Sequence, residues 1–134
     1  MTSEIPAEAL EFIDGPNFAT VATIQPDGSP QLSVVWVTRE GQDVVFSTTR
    51  GRRKELNLEA DNRCTLLISD PANPYSYVEI RGTTTMTEEG GRELIDALAK
   101  KYLDKDRYPW DDGTDNVRVV VRVTPTRVVF LQPR

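Results

Sequence analysis

The chain has 134 residues, of which 38% are hydrophobic and 28% are charged, a balance typical of an ordinary folded domain. Its 21 acidic and 16 basic residues leave a net charge of −5, which argues against general nucleic-acid binding, because that requires an excess of cations. The only cysteine, Cys64, has no partner for an internal disulfide, which suits a reducing cytoplasm. The amino-terminal residues form neither a signal peptide nor a membrane span. We therefore expect one cytoplasmic domain over residues 1–134, with no membrane or nucleic-acid partner.

The sequence contains no histidine. It therefore cannot form a Ser-His-Asp or Cys-His nucleophile, a histidine-based zinc site or the usual proton shuttle at neutral pH. A Walker loop and a Gly-x-Gly-x-x-Gly dinucleotide motif are absent as well. We expect no metal site, assign no catalytic residue, and expect any chemistry to come from a bound cofactor.

The first part of the chain is predicted to form a helix followed by a β-hairpin. Ser3 to Ile13 has apolar residues near helical spacing, with Ser3 as its cap and Gly15-Pro16 as its end. Residues 18–24 and Gln31 to Thr38 are rich in β-branched residues and are separated by a Pro-Asp-Gly-Ser turn. These two segments are predicted to pair as a hairpin.

The rest of the chain is predicted to hold five more strands and two more helices. One helix covers Arg52 to Ala60, and the other is capped by Thr87 and ends near Leu103, with its apolar residues on one face. A proline-rich break covers 70–74, and Gly82 marks a bulge or bend inside a long strand. The five strands are predicted at 43–49, 63–69, 75–86, 117–123 and 126–131.

Seven strands joined mainly by short turns, with helices that do not alternate with them, indicate a mainly β (α+β) fold with an antiparallel sheet. Six or seven such strands most simply close into a small barrel, because closure removes exposed strand edges. The predicted fold is therefore a small antiparallel barrel with a few short helices.

A basic turn between a strand and a helix is the most unusual local feature. The strand ends at Ser47-Thr48-Thr49, and four cations crowd the start of the following helix: Arg50, Arg52, Arg53 and Lys54. Cations repel the positive end of a helix dipole. A bound phosphate would reverse that effect, because the N–H groups at a helix start bind anions. The alternative is a solvated patch paired with some of the many acids, and these residues alone leave both interpretations open.

The strand that begins at Gln31 has one half-polar face. Alternation places Gln31 and Ser33 together, where they either line a pocket or meet solvent. Solvent is the commoner case in ordinary sheets. Trp36, on the opposite face, is more typical of a core or an interface than of a ligand platform.

A later strand places two tyrosines on one face, together with a charge pair. Tyr75, Tyr77 and Glu79 share this face, which indicates either a subunit contact or a plain exposed surface. Arg118, on another strand, is predicted either to be solvated or to meet Glu79 across strands.

Three motifs, in their order and spacing, resemble the pyridoxamine 5′-phosphate oxidase-like superfamily. They are the hairpin over Ala22 to Trp36, the strand-to-helix segment over Ser47 to Leu58, and the strand over Tyr77 to Thr83. Within that superfamily the chain is most similar to the small actinobacterial proteins that use the deazaflavin coenzyme F420. The similarity lies in the Arg52-x-Lys54-x-x-Asn57-Leu58 spacing and in the Tyr108-Pro109-Trp110 loop.

The resemblance implies a split β-barrel homodimer of the FMN-binding split-barrel type, with two cofactor sites at the subunit interface and a small-molecule substrate. It implies F420 as the cofactor, with FMN as the alternative. Tyr75 and Tyr77 would reach the partner subunit's cofactor, and Trp36 and Trp110 are the candidates for substrate contact. The implied cofactor-binding residues are Gln31, Leu32, Ser33, Val34, Val35, Ser47, Thr48, Thr49, Arg52, Arg53, Lys54, Asn57, Tyr75 and Tyr77.

The function implied by the resemblance is an F420-dependent oxidoreductase that moves a hydride between the reduced deazaflavin and a small unsaturated organic molecule. Two alternatives keep the same fold. One is an FMN-dependent oxidase or reductase, and the other is a protein that binds a flavin or deazaflavin and turns nothing over. A dimeric scaffold without any ligand is the fourth hypothesis.

Overall fold

The computed structural model describes residues 2–133, which form a seven-stranded antiparallel sheet with three α-helices. The strands are β1 (Ala19–Ile24), β2 (Pro30–Val35), β3 (Val37–Glu40), β4 (Asp43–Thr49), β5 (Arg63–Asp70), β6 (Asn73–Thr87) and β7 (Arg118–Leu131). The helices are α1 (Ala7–Asp14), α2 (Arg53–Ala60) and α3 (Gly91–Leu103), with a 3₁₀ turn at Pro109–Asp111. The strand order is β2-β1-β5-β6-β7-β4-β3. The sheet curls into a half-barrel, so the predicted mainly β split-barrel fold is confirmed.

The number of strands agrees with the prediction, but two boundaries differ. The predicted strand Gln31 to Thr38 divides at Trp36 into β2 and β3. The predicted strands 117–123 and 126–131 form one strand, β7, which continues through Pro125. Since β2 and β3 are the two edges of the sheet and only Trp36 separates them, the curled sheet brings its edges together at Trp36.

Pro125 is tolerated in β7 because the strand ladder is irregular beside it. Pro125 lies opposite Gly82 on β6, and the register shifts between Arg81 and Gly82. A Cβ atom on Gly82 would lie 2.3 Å from the carbonyl oxygen of Thr124, so a side chain does not fit there. Proline lacks the N–H that a regular ladder needs and is found at such bulges. The predicted bulge at Gly82 is confirmed, whereas the predicted strand break at Pro125 is wrong.

Two helices begin later than their predicted caps. α1 begins after Pro6, because a residue that precedes proline avoids the helical conformation. Ser3 instead donates a 2.7 Å hydrogen bond from its hydroxyl to a backbone carbonyl of β7. The hydroxyl of Thr87 accepts the N–H of Glu89 at 3.1 Å and so caps the turn before α3, not the helix. The predicted break over 70–74 narrows to the turn between β5 and β6.

The inner face of the curled sheet forms the hydrophobic core. Five strands each contribute a side chain with no exposed surface: Val21, Phe46, Leu66, Ile80 and Val121. Cys64 is buried in the same core, and burial raises the pKa of its thiol to about 12, so it is unreactive at neutral pH. Within residues 2–133, no helix is both long and apolar enough to span a bilayer.

Candidate functional site

A cleft opens where the edges of the sheet meet, beside the start of α2, and its cavity volume is about 190 Å³. β2, β4, α2, α3 and the loop before β7 all contribute side chains to it. Its apolar and aromatic lining includes Phe18, Val34, Val35, Trp36, Leu98 and Tyr108. Its polar lining is Ser47, Arg52, Lys54 and Arg118. The cleft therefore combines aromatic rings with three cations.

The cations of the basic turn differ in whether they form ion pairs with acidic residues. Arg50 forms such pairs. Its Nη1 lies 3.3 Å from Oε2 of Glu55, and its Nε lies 2.9 Å from Oε2 of Glu88. Glu59 is a third carboxylate, at 3.8 Å. The interpretation of the basic turn as a patch paired with acids is therefore correct for Arg50.

Arg52 and Lys54 line the cleft instead, and neither forms an ion pair with any residue that the structure describes. Burial lowers the pKa of the half-buried Lys54, and the nearby guanidinium groups of Arg52 and Arg118 lower it further. Cations that repel one another around a cavity are stabilised by a bound anion, as are the free N–H groups of a helix start. This side of the cleft therefore fits an anionic group such as a phosphate.

Glu55 shapes the start of α2, although sequence reasoning missed it. It is fully buried and accepts the N–H of Gly51 at 2.8 Å. Gly51 has a φ angle of 89°, a conformation that favours glycine. Burial tends to raise the pKa of Glu55, but hydrogen bonds, first of all the one from Gly51, lower it more, so its carboxylate stays ionised. A glutamate at the third position of a helix, as here after the N-cap Arg52, is a known capping signal that could have revealed it.

Three predicted site residues, Gln31, Arg53 and Asn57, lie away from the cleft and belong to one polar network, in which Thr23 connects Gln31 to Asn57. Asn57 is buried, and its amide donates to side-chain oxygens of Thr23 and Gln25, both at 3.0 Å. Gln31 accepts a hydrogen bond from the Thr23 hydroxyl, also at 3.0 Å. Nη1 of Arg53 lies 3.5 Å from Oδ1 of Asn57. This network joins α2 to the β1–β2 hairpin.

β2 has its polar side chains inside and its apolar ones outside. Leu32 and Val34 are exposed, whereas Gln31 and Ser33 are half-buried and are not among the residues that line the cleft. Val34 and Val35 line the cleft. The exposed apolar side chains of β2 therefore lie beside the cleft.

Of the predicted site residues at the end of β4, only Ser47 reaches the cleft. Ser47 lines the cleft, whereas Thr48 and Thr49 are buried. The hydroxyl oxygens of Thr48 and Ser33 are buried and have no hydrogen-bond partner in the part of the chain that the structure describes. Neither residue lines the cleft, so the structure leaves these two hydroxyls unsatisfied without assigning them a ligand.

Three aromatic residues line the cleft: Phe18, Trp36 and Tyr108. Trp36 stacks on Tyr102, with 5.3 Å between ring centroids, and meets Tyr108 edge-on at 6.1 Å. Trp110 is more than half exposed and contacts Tyr108 at 5.2 Å without lining the cleft. The sequence motif of this loop thus pointed to Trp110, while its neighbour Tyr108 is the residue that the structure brings to the cleft.

Arg118 enters the cleft from β7 and does not meet Glu79. Its guanidinium forms two hydrogen bonds with Asp111, at 2.7 and 3.1 Å, and the two side chains are only 9% and 8% exposed. The guanidinium lies 4.7 Å from the ring centroid of Tyr108 and 3.4 Å from Oγ of Ser47. Hydrogen bonding to Arg118 holds the pKa of Asp111 below its usual range, so Asp111 is ionised and forms an ion pair with Arg118.

Tyr75 and Tyr77 are not brought to the cleft of their own chain. Both belong to the outer face of β6, where Tyr75 is 74% exposed and Tyr77 lies opposite Leu131 of β7. Their contact with a cofactor requires a second copy of the chain and stays a prediction.

The fold and the cleft define a split β-barrel protein with a basic and aromatic cleft where the edges of its sheet meet. The family model of pyridoxamine 5′-phosphate oxidase matches residues 5–132. The chain belongs to this family of oxidoreductases, and the resemblance predicted from the sequence is confirmed.

Solved structures agree with this assignment. A protein named F420 reductase is 27% identical, with a TM-score of 0.82 over 93% of this chain and 98% of its own. A conserved hypothetical protein from Mycobacterium tuberculosis is 24% identical, with a TM-score of 0.76 over 95% of this chain and 84% of its own. General stress protein 26 from Bacillus anthracis is 16% identical, with a TM-score of 0.70 over 95% of this chain and 93% of its own. The last two similarities show the fold alone.

Proposed function

We propose that this chain is an F420-dependent oxidoreductase that transfers a hydride between the reduced deazaflavin and a small unsaturated organic substrate. The observation that carries the proposal is the cleft, where Arg52 and Lys54, without acidic partners in the described chain, lie near the rings of Trp36 and Tyr108. A cofactor with an anionic tail and a planar ring matches both features. The similarity to the structure named F420 reductase supports the choice of a deazaflavin.

Arg52 and Lys54 would hold the phosphate of the cofactor. Both lie at the amino terminus of α2, where the first N–H groups have no partner inside the helix. Charge-assisted hydrogen bonds and the helix dipole favour an anion there. Burial and the neighbouring guanidinium groups lower the pKa of Lys54, and a bound anion would raise it again by favouring the charged form.

Trp36 and Tyr108 would contact the ring of the cofactor. When bound, the deazaflavin supplies the hydride chemistry, and the protein supplies position and electrostatics. Asp111 is ionised behind Arg118 and therefore does not act as an acid. The remaining proton sources at this end of the cleft are the Tyr108 hydroxyl and water.

The proposed assembly is a homodimer with the clefts at the subunit interface. The outer face of β2 and β5 carries large apolar side chains, with Leu32 62%, Val34 66% and Leu67 39% exposed. Val34 belongs both to this face and to the cleft. The cavity of one chain, about 190 Å³, is smaller than the roughly 300–1,000 Å³ of typical ligand pockets, so a second copy would complete the enclosure.

Separate titrations of the purified protein with F420 and with FMN, followed by ligand fluorescence, test the cofactor. We expect saturable F420 binding, and oxidation of the reduced cofactor in the presence of enones or quinones. Saturable binding of FMN alone would favour the second candidate, an FMN-dependent oxidase or reductase, which the description of the matching family supports. Binding of F420 without turnover across enones, quinones and tetrapyrroles would indicate a non-catalytic binding protein. Binding of neither ligand would contradict the proposal.

Light scattering tests the dimer independently of any cofactor. The expected mass is twice the chain mass of 15.1 kDa. Leu32→Glu combined with Leu67→Glu is expected to give a folded monomer, because both side chains face solvent in the single chain. A wild-type protein that is monomeric at micromolar concentration would contradict the dimer and the enclosure of the cleft by a second copy, whereas the fluorescence titrations test cofactor binding separately.

A further inference from the structure

The Asp111–Arg118 ion pair is buried to an unusual degree for a pair that anchors a surface loop. Both side chains are at least nine-tenths buried. A second pair in the same loop, between Arg107 and Asp112, is just as short at 2.6 Å, yet its side chains are 59% and 53% exposed. Burying an ion pair stabilises a fold little, because the loss of hydration offsets the attraction of the charges. The burial of the Asp111–Arg118 pair therefore points to a role beyond stability.

That role is indicated by Tyr108, whose main chain and ring are held by different residues. Its N–H donates to Asp96 at 2.8 Å, and its carbonyl oxygen accepts from Arg92 at 3.0 Å. These two hydrogen bonds fix the main chain but not the ring. The ring lies 4.7 Å from the guanidinium of Arg118 and meets both Trp36 and Trp110 edge-on. Arg118 is thus the charged group that contacts the Tyr108 ring in the cleft.

We propose that Arg118, held in place by Asp111, is a positioning residue that fixes the Tyr108 ring as a wall of the cleft and thereby sets the affinity for the ring of the ligand. This inference rests on the proposed function. Arg118 is held in an ion pair with Asp111, unlike Arg52 and Lys54, and its guanidinium lies against the Tyr108 ring. Because the contact of Arg118 in the cleft is with the Tyr108 ring, 4.7 Å away, the part of the ligand that it serves is the planar ring and not the phosphate.

Two probes separate the ring from the phosphate: F420, and the same deazaflavin riboside without its phosphate tail. FMN and riboflavin replace them if FMN is the ligand that binds. Arg118→Met is combined with Asp111→Asn, because removing both charges leaves no unpaired ion inside the protein. We expect this double variant to bind both probes roughly tenfold more weakly, because the cation–π contact that fixes the wall is lost, with the ratio of the two affinities unchanged.

Lys54→Ala serves as the comparison, because it is expected to weaken the binding of the phosphate-bearing probe and leave the binding of the other probe unchanged. A changed ratio in the double variant would show that Arg118 acts on the phosphate and would overturn the positioning role. Unchanged affinity for both probes would overturn it as well.

Coupling to Tyr108 distinguishes positioning from a general structural role. Tyr108→Ala is expected to weaken the binding of both probes by a similar factor. Combining it with Arg118→Met and Asp111→Asn is expected to lower the affinities little further. Fully additive losses would overturn the proposal. Arg118→Lys keeps a charge opposite Asp111 but loses the planar group, so an intermediate affinity is expected, and it keeps the test decisive if the methionine variant does not fold. Wild-type affinity in Arg118→Lys would contradict the role of the planar group.

A measurement without ligand completes the test. Because Tyr108 contacts both Trp36 and Trp110, the double variant is expected to change the near-ultraviolet circular dichroism of the tryptophans. Asp112→Asn, which breaks the exposed pair of the same loop, is the control and is expected to change neither the spectrum nor the affinities. A wild-type chain that binds neither F420 nor FMN overturns both proposals. Normal wild-type binding with an unaffected double variant overturns this inference alone.

Discussion

Arg50 and Lys54 belong to the same basic turn, yet their surroundings are opposite. Arg50 lies among three carboxylates, the nearest of which is Glu88 at 2.9 Å. Lys54 is half-buried in the cleft, and the charged groups that act on its pKa are two guanidinium groups. Both residues are cations, but Arg50 has acidic neighbours whereas Lys54 has basic ones.

This difference separates a charge that supports the fold from a charge that is placed for a ligand. Pairing Arg50 with acids is favourable in the folded chain without any ligand. Crowding Lys54 against other cations at a helix start is unfavourable there and becomes favourable only when an anion binds. Such local costs without compensation inside the chain are expected at functional sites. The division of the basic turn therefore predicts which substitutions affect binding and which affect stability.

The largest expected effect is on cofactor affinity, from removing the two cations of the turn that line the cleft without an acidic partner. Arg52→Ala with Lys54→Ala is expected to weaken F420 binding by about 3 kcal/mol, roughly a hundredfold, because two charge-assisted hydrogen bonds are lost. Isothermal titration calorimetry measures the change. Arg53→Ala is the matched control from the same turn but outside the cleft, and it is expected to change the affinity less than about twofold. Equal losses in both proteins would show that the overall charge of the turn binds the anion, and the comparison would fail.

The next largest effect is on stability, from removing the buried carboxylate that pairs with Arg50. Glu55→Gln is expected to lower the free energy of unfolding by about 2 kcal/mol, because it removes a buried charge that pairs with Arg50 and accepts the N–H of Gly51. Denaturant unfolding of the ligand-free protein measures it. Glu59→Gln is the exposed control, with an expected change below about 0.5 kcal/mol. Unchanged stability together with lost F420 binding would place Glu55 in the binding site instead.

A smaller effect is expected from pH. Burial, and then Arg52 and Arg118, hold the pKa of Lys54 below the ordinary lysine value of 10.5 in the ligand-free protein. A bound phosphate favours the charged form, so affinity is expected to fall as the pH rises above that lowered pKa, by at most about tenfold per pH unit. In the same window the unfolded chain holds more protons than the folded one, so the contribution of Lys54 makes the ligand-free protein more stable as the pH rises.

Lys54→Arg provides the comparison for this pH dependence. Arginine stays charged throughout the range, so the affinity of this variant is expected to remain level where that of the wild type falls. Identical profiles for the two proteins, measured by fluorescence titration at several pH values, would assign the fall to another group.

Most of the fold could be predicted from periodicity and turn residues, because each helix and strand carries its own local signal. The exceptions depend on contacts that are distant in sequence. The division of β2 from β3 at Trp36 follows from the curl of the whole sheet. The continuity of β7 through Pro125 depends on Gly82, which lies opposite it on β6. Neither can be recognised from the residues next to it in the chain.

Less of the cleft could be predicted, for the same reason. The basic turn stood out as a set of cations, but its division depends on acids such as Glu88, which come from elsewhere in the chain. Arg118 became recognisable only when the fold placed it against Asp111 and Tyr108. Glu55 was the one missed residue with a local signal, since it occupies a capping position of α2.

The smallest expected effect is on the free energy of unfolding, which is expected to change in opposite directions when Lys54 and when Arg50 loses its charge. Lys54→Met keeps most of the side chain's length and is expected to raise the free energy of unfolding of the ligand-free protein by about 0.5 kcal/mol, because a cation leaves the positive end of α2. Arg50→Met is expected to lower it by about 1 kcal/mol, because Glu55 loses its partner. Denaturant unfolding compares the two variants, and saturating F420 should stabilise Lys54→Met less than the wild type. If both substitutions destabilised the ligand-free protein equally, Lys54 would be a structural cation like Arg50, and its position in the cleft would no longer indicate a bound anion.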